Sequence, residues 1–217
     1  MSASADISQQ DFGAEAFRAR AEARLFREQP QFDLDSGKYG GDHVLWGRQM
    51  PLDKLAQSKG AAVLVPIVAH PREATILLTQ RAASLRNHSG QIAFPGGRID
   101  GGESAVQAAL REAEEEIGLT ERHIEPIGHM DYYFTGTGYR ISPVVAIVKP
   151  PFDLTLNPDE VDSVFEVPLS FLMQPANHQR IRRKEDGRSF YAMPFGDRYI
   201  WGATAGMLRG LYESLYG

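Results

Sequence analysis

The segment AVQAALREAEEEIG, residues 105–118, restricts the fold more than any other part of this 217-residue chain. Advancing about 100° per residue groups its larger apolar side chains on one stripe, as in an amphipathic helix. That stripe consists of Val106, Leu110, Ala113 and Ile117. We expect it to face a core, and we expect Gly118 to end the helix, because glycine tolerates the left-handed conformation found at helix ends.

Carboxylates crowd the last turns of this predicted helix, at Glu112, Glu114, Glu115 and Glu116. The spacing of Glu112, Glu115 and Glu116 places them side by side, on the face opposite the apolar stripe. Like charges at this spacing destabilise a helix by about 0.2–0.5 kcal/mol per pair, and the helix dipole adds to the cost at this end. A solvated acidic face is one interpretation. A bound divalent cation is the favoured one, because ions such as Mg²⁺ are held by carboxylates together with substrate phosphates.

The composition excludes several classes of protein. The chain has no cysteine, so disulfides, a thiol nucleophile and a cysteine-ligated zinc are ruled out. The net charge of -5 argues against a nucleic-acid partner, which would favour a basic face. The longest apolar run, residues 61–69, is far shorter than the roughly 20 residues of a membrane span, and the polar N-terminus lacks a secretory signal. We therefore expect a cytoplasmic protein without membrane contact, for which a homodimer is one assembly that the sequence allows.

Changes in residue pattern divide the chain into an N-terminal arm, residues 1–58, and a main domain, residues 59–217. The arm carries a predicted amphipathic helix at 11–27, and its role cannot be read from the sequence. The aliphatic and β-branched runs 61–70 and 74–81 are predicted to be paired strands. The remaining predicted elements are strands within 124–134, 141–148 and 161–167, a hairpin formed by 180–184 and 188–193, and a closing helix at 204–216. Strands around a helix predict a mixed α/β fold.

A set of glycines and charged residues within this acidic region has a fixed spacing: Gly97, Glu103, Arg111, Glu112, Glu115, Glu116 and Gly118. The spacing resembles the complete Nudix box, which here covers residues 97–119. The one departure is Ala113, where the family usually has a bulkier aliphatic residue. The resemblance implies a Nudix-type α/β/α sandwich with a mixed central sheet, extended by an N-terminal and a C-terminal helix. It also implies a hydrolase of nucleoside diphosphate derivatives that uses Mg²⁺ or Mn²⁺.

The same resemblance assigns roles to individual side chains of the box. The metal ligands would be Glu112, Glu115 and Glu116, with Glu103 as a supporting carboxylate. Arg111 would orient the carboxylates through paired hydrogen bonds. Gly96 and Gly97 would let the backbone approach the substrate phosphates, or would form only a tight turn.

The segment LLTQRAASLRNHSGQIAFPGG, residues 77–97, stands directly before the box. It resembles the accessory motif of the coenzyme A pyrophosphatase branch of the Nudix family and fills that motif without a gap. The resemblance implies hydrolysis of coenzyme A, or of acyl-coenzyme A, to 3′,5′-ADP and 4′-phosphopantetheine. Arg81 and Arg86 would bind substrate phosphates, to which guanidinium groups are well suited, or would pair with the acidic helix. Phe94 would stack on adenine or would belong to the core.

Three further features leave alternatives open. His88 fits a hydrogen-bonding or solvated loop residue better than an acid or base. A basic run fits a solvated strand edge better than a phosphate or nucleic-acid patch; it comprises Arg180, Arg182, Arg183, Lys184 and Arg188. Among Asp159, Glu160 and Asp162 we select Glu160 as an additional metal ligand or base, because Nudix enzymes often draw one from such a loop. The general base stays open among Glu112, Glu115 and Glu160.

Two other functions are compatible with parts of the sequence. The first is a Nudix hydrolase that acts on another substrate, such as ADP-ribose or NADH, and the upstream motif argues against it. The second is a non-catalytic module that senses a nucleotide. Loss of a box glutamate would be the simplest mark of such a module, and no box glutamate is missing.

Overall fold

The computed structural model describes residues 11–33, 40–47, 50–84 and 89–217. Within these residues the chain forms a nine-stranded mixed sheet, a three-stranded antiparallel sheet and six helices. The helices are α1 (Ala14–Arg24), α2 (Asp42–Leu45), α3 (Leu52–Ala56), α4 (Ala105–Ile117), α5 (Leu169–Leu172) and α6 (Ala203–Leu215). The strands are β1 (Gly40–Gly41), β2 (Lys59–Val68), β3 (Thr75–Arg81), β4 (Ile92–Ala93), β5 (Gly96–Arg98), β6 (Ile124–His129), β7 (Tyr133–Phe134), β8 (Tyr139–Val148), β9 (Val161–Pro168), β10 (Gln179–Arg182), β11 (Ser189–Phe195) and β12 (Arg198–Trp201).

The centre of the large sheet is formed by β2 and β8, which run parallel and pair along their whole length. The predicted pairing of residues 61–70 with 74–81 is confirmed, but it covers two residue pairs next to the turn. β3 also pairs with β9 along its whole length and with β4 near its end, and the first half of β2 pairs with β5. The residue pattern therefore identified the strands, whereas most of their partners come from distant parts of the chain.

Alternating side chains of β2 divide between two cores, one on each face of the sheet. Val63 and Val65 belong to a core that is closed by α1, α5 and α6. Ala62 and Leu64 belong to the other core, which is closed by α4. Because side chains alternate along a strand and helices cover both faces, the predicted α/β/α layering is confirmed.

The predicted elements near the chain ends are present with small differences in length. The helix expected at 11–27 is shorter, since Leu25 is already extended and ends α1. The closing helix expected at 204–216 is α6. The predicted hairpin is formed by β10 and β11, with Gly187 at a φ of +69° in its turn, and β12 adds a third strand.

Two of the segments described within residues 1–58, the predicted arm, contact the rest of the chain. Strand β1 adds to the large sheet beside β7. Helix α1 contacts β6 and α6, and Arg18 donates two hydrogen bonds to Glu125 of β6, at 2.8 and 3.0 Å. None of the helices in the described ranges combines the length and apolarity needed to cross a bilayer.

Candidate active site

Helix α4 is fixed at both ends by its own sequence. Ser104 Oγ accepts a hydrogen bond from the Gln107 amide at 3.2 Å, and Gln107 Oε1 accepts one from the Ser104 amide at 2.9 Å. This reciprocal pair is a capping box, which satisfies amides that the first turn leaves free. Gly118 ends the helix at a φ of +70°, as predicted. The helix therefore presents its side chains in a fixed register.

The buried face of α4 agrees with the predicted stripe only in part. Ala113 and Ile117 of that stripe are buried, but Val106 and Leu110 are only partly buried. Ala109 and Glu116, which lie outside the stripe, are buried as well, Glu116 with an exposed fraction of 2%. The expectation that Glu116 lies opposite the core is therefore wrong. Helix α4 packs against β2 with its short alanine side chains, and Glu116, in the last turn of the helix, is buried as they are.

The Glu116 carboxylate contacts Gly96 of β5 and Arg81 of β3. Its Oε2 accepts a hydrogen bond from the Gly96 amide at 3.2 Å, and its Oε1 lies 3.6 Å from Nη1 of Arg81. Burial raises the pKa of Glu116 to about 7, against the lowering effects of the Gly96 amide and Arg81, and the nearby Glu112 and Glu160 charges raise it further. The Gly96 amide and Arg81 thus do not fully offset the cost of burying the negative charge of Glu116.

Arg111 joins three other carboxylates of the box. It donates to Glu103 from Nε at 2.8 Å, and from a single nitrogen, Nη1, to Glu112 at 3.0 Å and Glu115 at 2.9 Å. A second bond to Glu103, from Nη2 at 3.1 Å, makes that pair bidentate. The Arg111 guanidinium accordingly lowers the pKa of Glu103. The geometry agrees with an orienting role for Arg111, and Glu115 remains 56% exposed at the edge of this cluster.

Gly96 and Gly97 allow close contacts within the protein. A Cβ at Gly96 would overlap the Ala62 carbonyl oxygen of β2, and a Cβ at Gly97 would overlap the Glu112 carboxyl group. The two glycines belong to β5 rather than to a simple turn, because they pair with β2. They let β5 approach β2 and α4 closely.

A cleft of about 910 Å³ opens beside these groups, a volume within the range of about 300–1,000 Å³ typical of ligand sites. Glu112, Glu116 and Glu160 all line it. Of the three acidic loop residues considered, Asp159 and Asp162 are not part of the lining, so the structure favours the choice of Glu160. The cleft thus gathers carboxylates from α4 and from the loop before β9.

The residues predicted to bind substrate differ in whether they border the cleft. Arg81 lines the cleft. Phe94 also borders it but is 3% exposed and belongs to the larger core, which supports its core role and leaves little ring surface for stacking on adenine. Arg86 and His88 lie outside the described residues, so their roles stay predictions.

The arm contributes cleft residues that sequence reasoning missed. Asp42 and Trp46 line the cleft. Asp42 accepts a 2.6 Å hydrogen bond from the Tyr133 hydroxyl, and the Trp46 indole donates one of 3.0 Å to the Ser189 carbonyl. The arm carries no motif that signals these contacts, because they depend on how it folds back onto the main domain.

The basic run around the hairpin is exposed, as expected for a solvated edge. Strand β10 is an edge strand of the small sheet. Two residues of the run, Arg183 and Arg188, also line the cleft. The hairpin is therefore an exposed edge that borders the candidate site.

The donor groups fit a divalent cation that also contacts a substrate. Across the part of the chain that is described, no three His, Asp or Glu side chains are arranged to hold an ion by themselves. Glu112 and Glu116 are one helical turn apart, and burial raises the pKa of both. Mg²⁺ is commonly bound by one or two carboxylates together with water and substrate phosphates. Such an ion would complete its coordination sphere from the substrate side of the cleft.

Comparisons with known proteins agree with this geometry. The family model described as NUDIX domain matches residues 58–186. In Escherichia coli (strain K12 / DH10B), a protein named uncharacterized Nudix hydrolase NudL is 42% identical over 154 residues, covering 70% of this chain and 80% of that protein. The crystal structure of RenU, a Nudix hydrolase from M. smegmatis, has a TM-score of 0.51 at 23% identity, covering 72% of this chain and 84% of that chain. This last similarity concerns the fold alone.

The matched residues include the whole of α4 with its carboxylates, Gly96 of β5 and Arg81. The domain match spans more than half of the chain, and the bacterial relative shares its identity over a comparable length. The chain therefore belongs to the Nudix hydrolase family.

Proposed function

We propose that this Nudix hydrolase cleaves the pyrophosphate bond of coenzyme A, or of its acyl derivatives, to give 3′,5′-ADP and 4′-phosphopantetheine. Nudix hydrolases act on nucleoside diphosphate derivatives and generally need a divalent metal ion such as Mg²⁺ or Mn²⁺. One observation supports the choice of coenzyme A as the substrate. The segment 77–97, which resembles the coenzyme A pyrophosphatase motif, contacts Glu116 at two points, through Arg81 and the Gly96 amide.

In this proposal Glu112 and Glu116 would hold Mg²⁺ or Mn²⁺ beside the bound substrate. Glu115 is kept as a third ligand, because the Arg111 nitrogen that contacts Glu112 also contacts Glu115 and holds the two carboxylates close together. Glu103 supports the site indirectly through its bidentate pair with Arg111. A bound ion of this kind supplies a lowered water pKa and neutralises the charge that develops on phosphate oxygens.

Arg81 and Glu160, which both line the cleft, are assigned substrate binding and proton transfer. Arg81 is suited to bind a non-bridging phosphate oxygen, since guanidinium groups match phosphate geometry and its Nη1 is 3.6 Å from Glu116 rather than in a short ion pair. Glu160 is the proposed general base. It lines the cleft and accepts a 3.3 Å hydrogen bond from the uncharged Asn157 amide, whereas Glu112 and Glu115 both accept hydrogen bonds from the charged Arg111. It would take a proton from the attacking water, and no covalent intermediate is needed.

The test is a parallel assay of coenzyme A, ADP-ribose and NADH with the purified full-length protein and Mg²⁺, with products identified by mass spectrometry. We expect the highest kcat/KM for coenzyme A, with 3′,5′-ADP and 4′-phosphopantetheine as products. Equal or faster turnover of ADP-ribose would remove the substrate assignment. Hydrolysis of none of the three would favour a nucleotide-sensing module.

A further inference from the structure

The basic hairpin lies beside the cleft but away from the metal-site glutamates in sequence and in the fold. Residues 180–188 carry five cationic side chains and two acidic ones, in a chain whose net charge is -5. The hairpin belongs to the small antiparallel sheet, not to the sheet that carries the box. Two of its cations, Arg183 and Arg188, line the same cleft as Glu112 and Glu116. The hairpin thus adds positive charge to a cleft that carboxylates also line.

Arg188 is held in place by an aromatic side chain of the arm. Its guanidinium carbon is 4.6 Å from the centre of the Trp46 ring, a cation–π contact. Trp46 is itself fixed by the 3.0 Å hydrogen bond from its indole to the Ser189 carbonyl. A guanidinium supported in this way is positioned for a ligand at lower entropic cost than a free surface arginine.

The carboxylate of Asp186 lies near both Arg183 and Arg188. Asp186 Oδ2 lies 3.7 Å from Nη1 of Arg183 and 3.4 Å from Nε of Arg188. One carboxylate thus faces two guanidinium groups, and neither distance is that of a short charge-assisted hydrogen bond. The two arginines keep a net positive charge that a dianionic group could match.

A second hollow extends the cleft on this side. It has a volume of about 560 Å³ and shares Trp46, Arg188 and Ser189 with the cleft. Its other cationic lining residues are Arg180 and Arg182. Arg188 therefore lies at the boundary between this hollow and the cleft that Glu112 and Glu116 also line.

We infer that Arg183 and Arg188 form a binding site for a phosphate monoester of the substrate, separate from the pyrophosphate that is cleaved. The inference rests on the proposed function, because coenzyme A carries such a group as its 3′-phosphate and ADP-ribose does not. Holding this dianion on the hairpin keeps it away from the carboxylates of α4, which would repel it. The hairpin then selects substrates that have a third phosphate.

The experiment measures binding separately from turnover. The full-length protein and its variants are titrated calorimetrically with 3′,5′-ADP and with AMP, which differ by the phosphate in question. For the wild type we expect 3′,5′-ADP to bind about tenfold to a hundredfold more tightly than AMP, as for charge-assisted hydrogen bonds to one phosphate. In Arg183→Ala and Arg188→Ala the ratio of the two affinities should fall about tenfold, and Arg188→Lys should restore part of it.

Lys184→Ala is the matched control, since it removes a positive charge from the same hairpin at a residue that does not line the cleft. It should keep the wild-type ratio. Equal affinities of the wild type for the two ligands, or an equal loss of preference in Lys184→Ala, would overturn the inference. Coenzyme A turnover is measured on the same preparations. If the protein does not hydrolyse coenzyme A but still binds 3′,5′-ADP more tightly than AMP, the proposed function is contradicted while the phosphate site is supported.

Discussion

At the scale of single residues, the glutamates of the box differ in what balances their charge. Glu103 and Glu115 are balanced by Arg111 at hydrogen-bonding distance. Glu116 is buried, accepts one backbone hydrogen bond and lies 3.6 Å from Arg81. Because a buried carboxylate is costly unless it is paired, Glu116 is the box residue with the clearest need for a bound cation.

Substituting Glu116 tests this need directly. In Glu116→Gln we expect kcat to fall about a hundredfold or more, since a carboxamide cannot replace an anionic metal ligand and metal ions contribute several kcal/mol to such reactions. The folded state should persist, because the change removes a buried charge. Thermal unfolding and steady-state kinetics measure the two effects. Glu114→Gln, on the exposed side of the same helix, is the control and should retain wild-type kinetics.

Gly97 offers a test of how tightly Glu112 is positioned. In Gly97→Ala the new Cβ would displace the Glu112 carboxyl group, which is the movable end of its side chain. We expect a stability change of about 1 kcal/mol or less, but a loss of kcat of about a hundredfold, as for a catalytic group misplaced by about 1 Å. Gly101→Ala is the control, because nothing lies within 4 Å of its added Cβ. Comparable activities of the two variants would show that the position of Glu112 is not critical.

At the scale of elements, α1 is attached to β6 by an ion pair whose strength depends on pH. Arg18 and Lys149 hydrogen-bond to Glu125 and lower its pKa from the ordinary value of 4.5 to about 2. A carboxyl group whose pKa is lower in the folded state contributes stability above its unfolded pKa. That contribution is lost as the pH falls from about 4.5 towards 2.

Glu125→Gln removes this contribution. We expect the variant to be less stable than the wild type at pH 7, by about 1 kcal/mol or less because Glu125 is 41% exposed, and the difference should shrink below pH 4.5. Urea unfolding between pH 7 and pH 3.5 measures it. Glu22→Gln is the control, since Glu22 is 58% exposed and 3.9 Å from Arg18. A difference that grows as the pH falls would contradict the assignment.

The elements also show what the sequence could and could not reveal. Helix α4, its end at Gly118 and the hairpin at Gly187 follow from local residue preferences, and they were predicted. The buried face of α4 was predicted only in part: Ala113 and Ile117 are buried as expected, but the weight given to the large side chains of Val106 and Leu110 left out Ala109 and Glu116. The Ser104 capping box was readable as Ser-x-x-Gln and was missed.

At the scale of the whole molecule, the cleft is assembled from segments far apart in the sequence. Residues 42 and 46 come from the arm, 81 and 96 from the accessory segment, 112 and 116 from α4, 160 from the loop before β9, and 183 and 188 from the hairpin. The box and the accessory segment were readable because each is a continuous pattern. The contributions of Trp46 and Arg188 were not, because they depend on tertiary contacts between an arm and a hairpin that share no motif.

The most direct test of the central claim is a competition between coenzyme A and ADP-ribose at equal concentrations in one reaction with Mg²⁺. The two substrates then meet the same enzyme, metal and background, and the ratio of 3′,5′-ADP to AMP formed early gives the ratio of their kcat/KM values. We expect 3′,5′-ADP to be formed at least about tenfold faster, a preference of about 1.4 kcal/mol. AMP formed at an equal or higher rate would contradict a cleft built for coenzyme A.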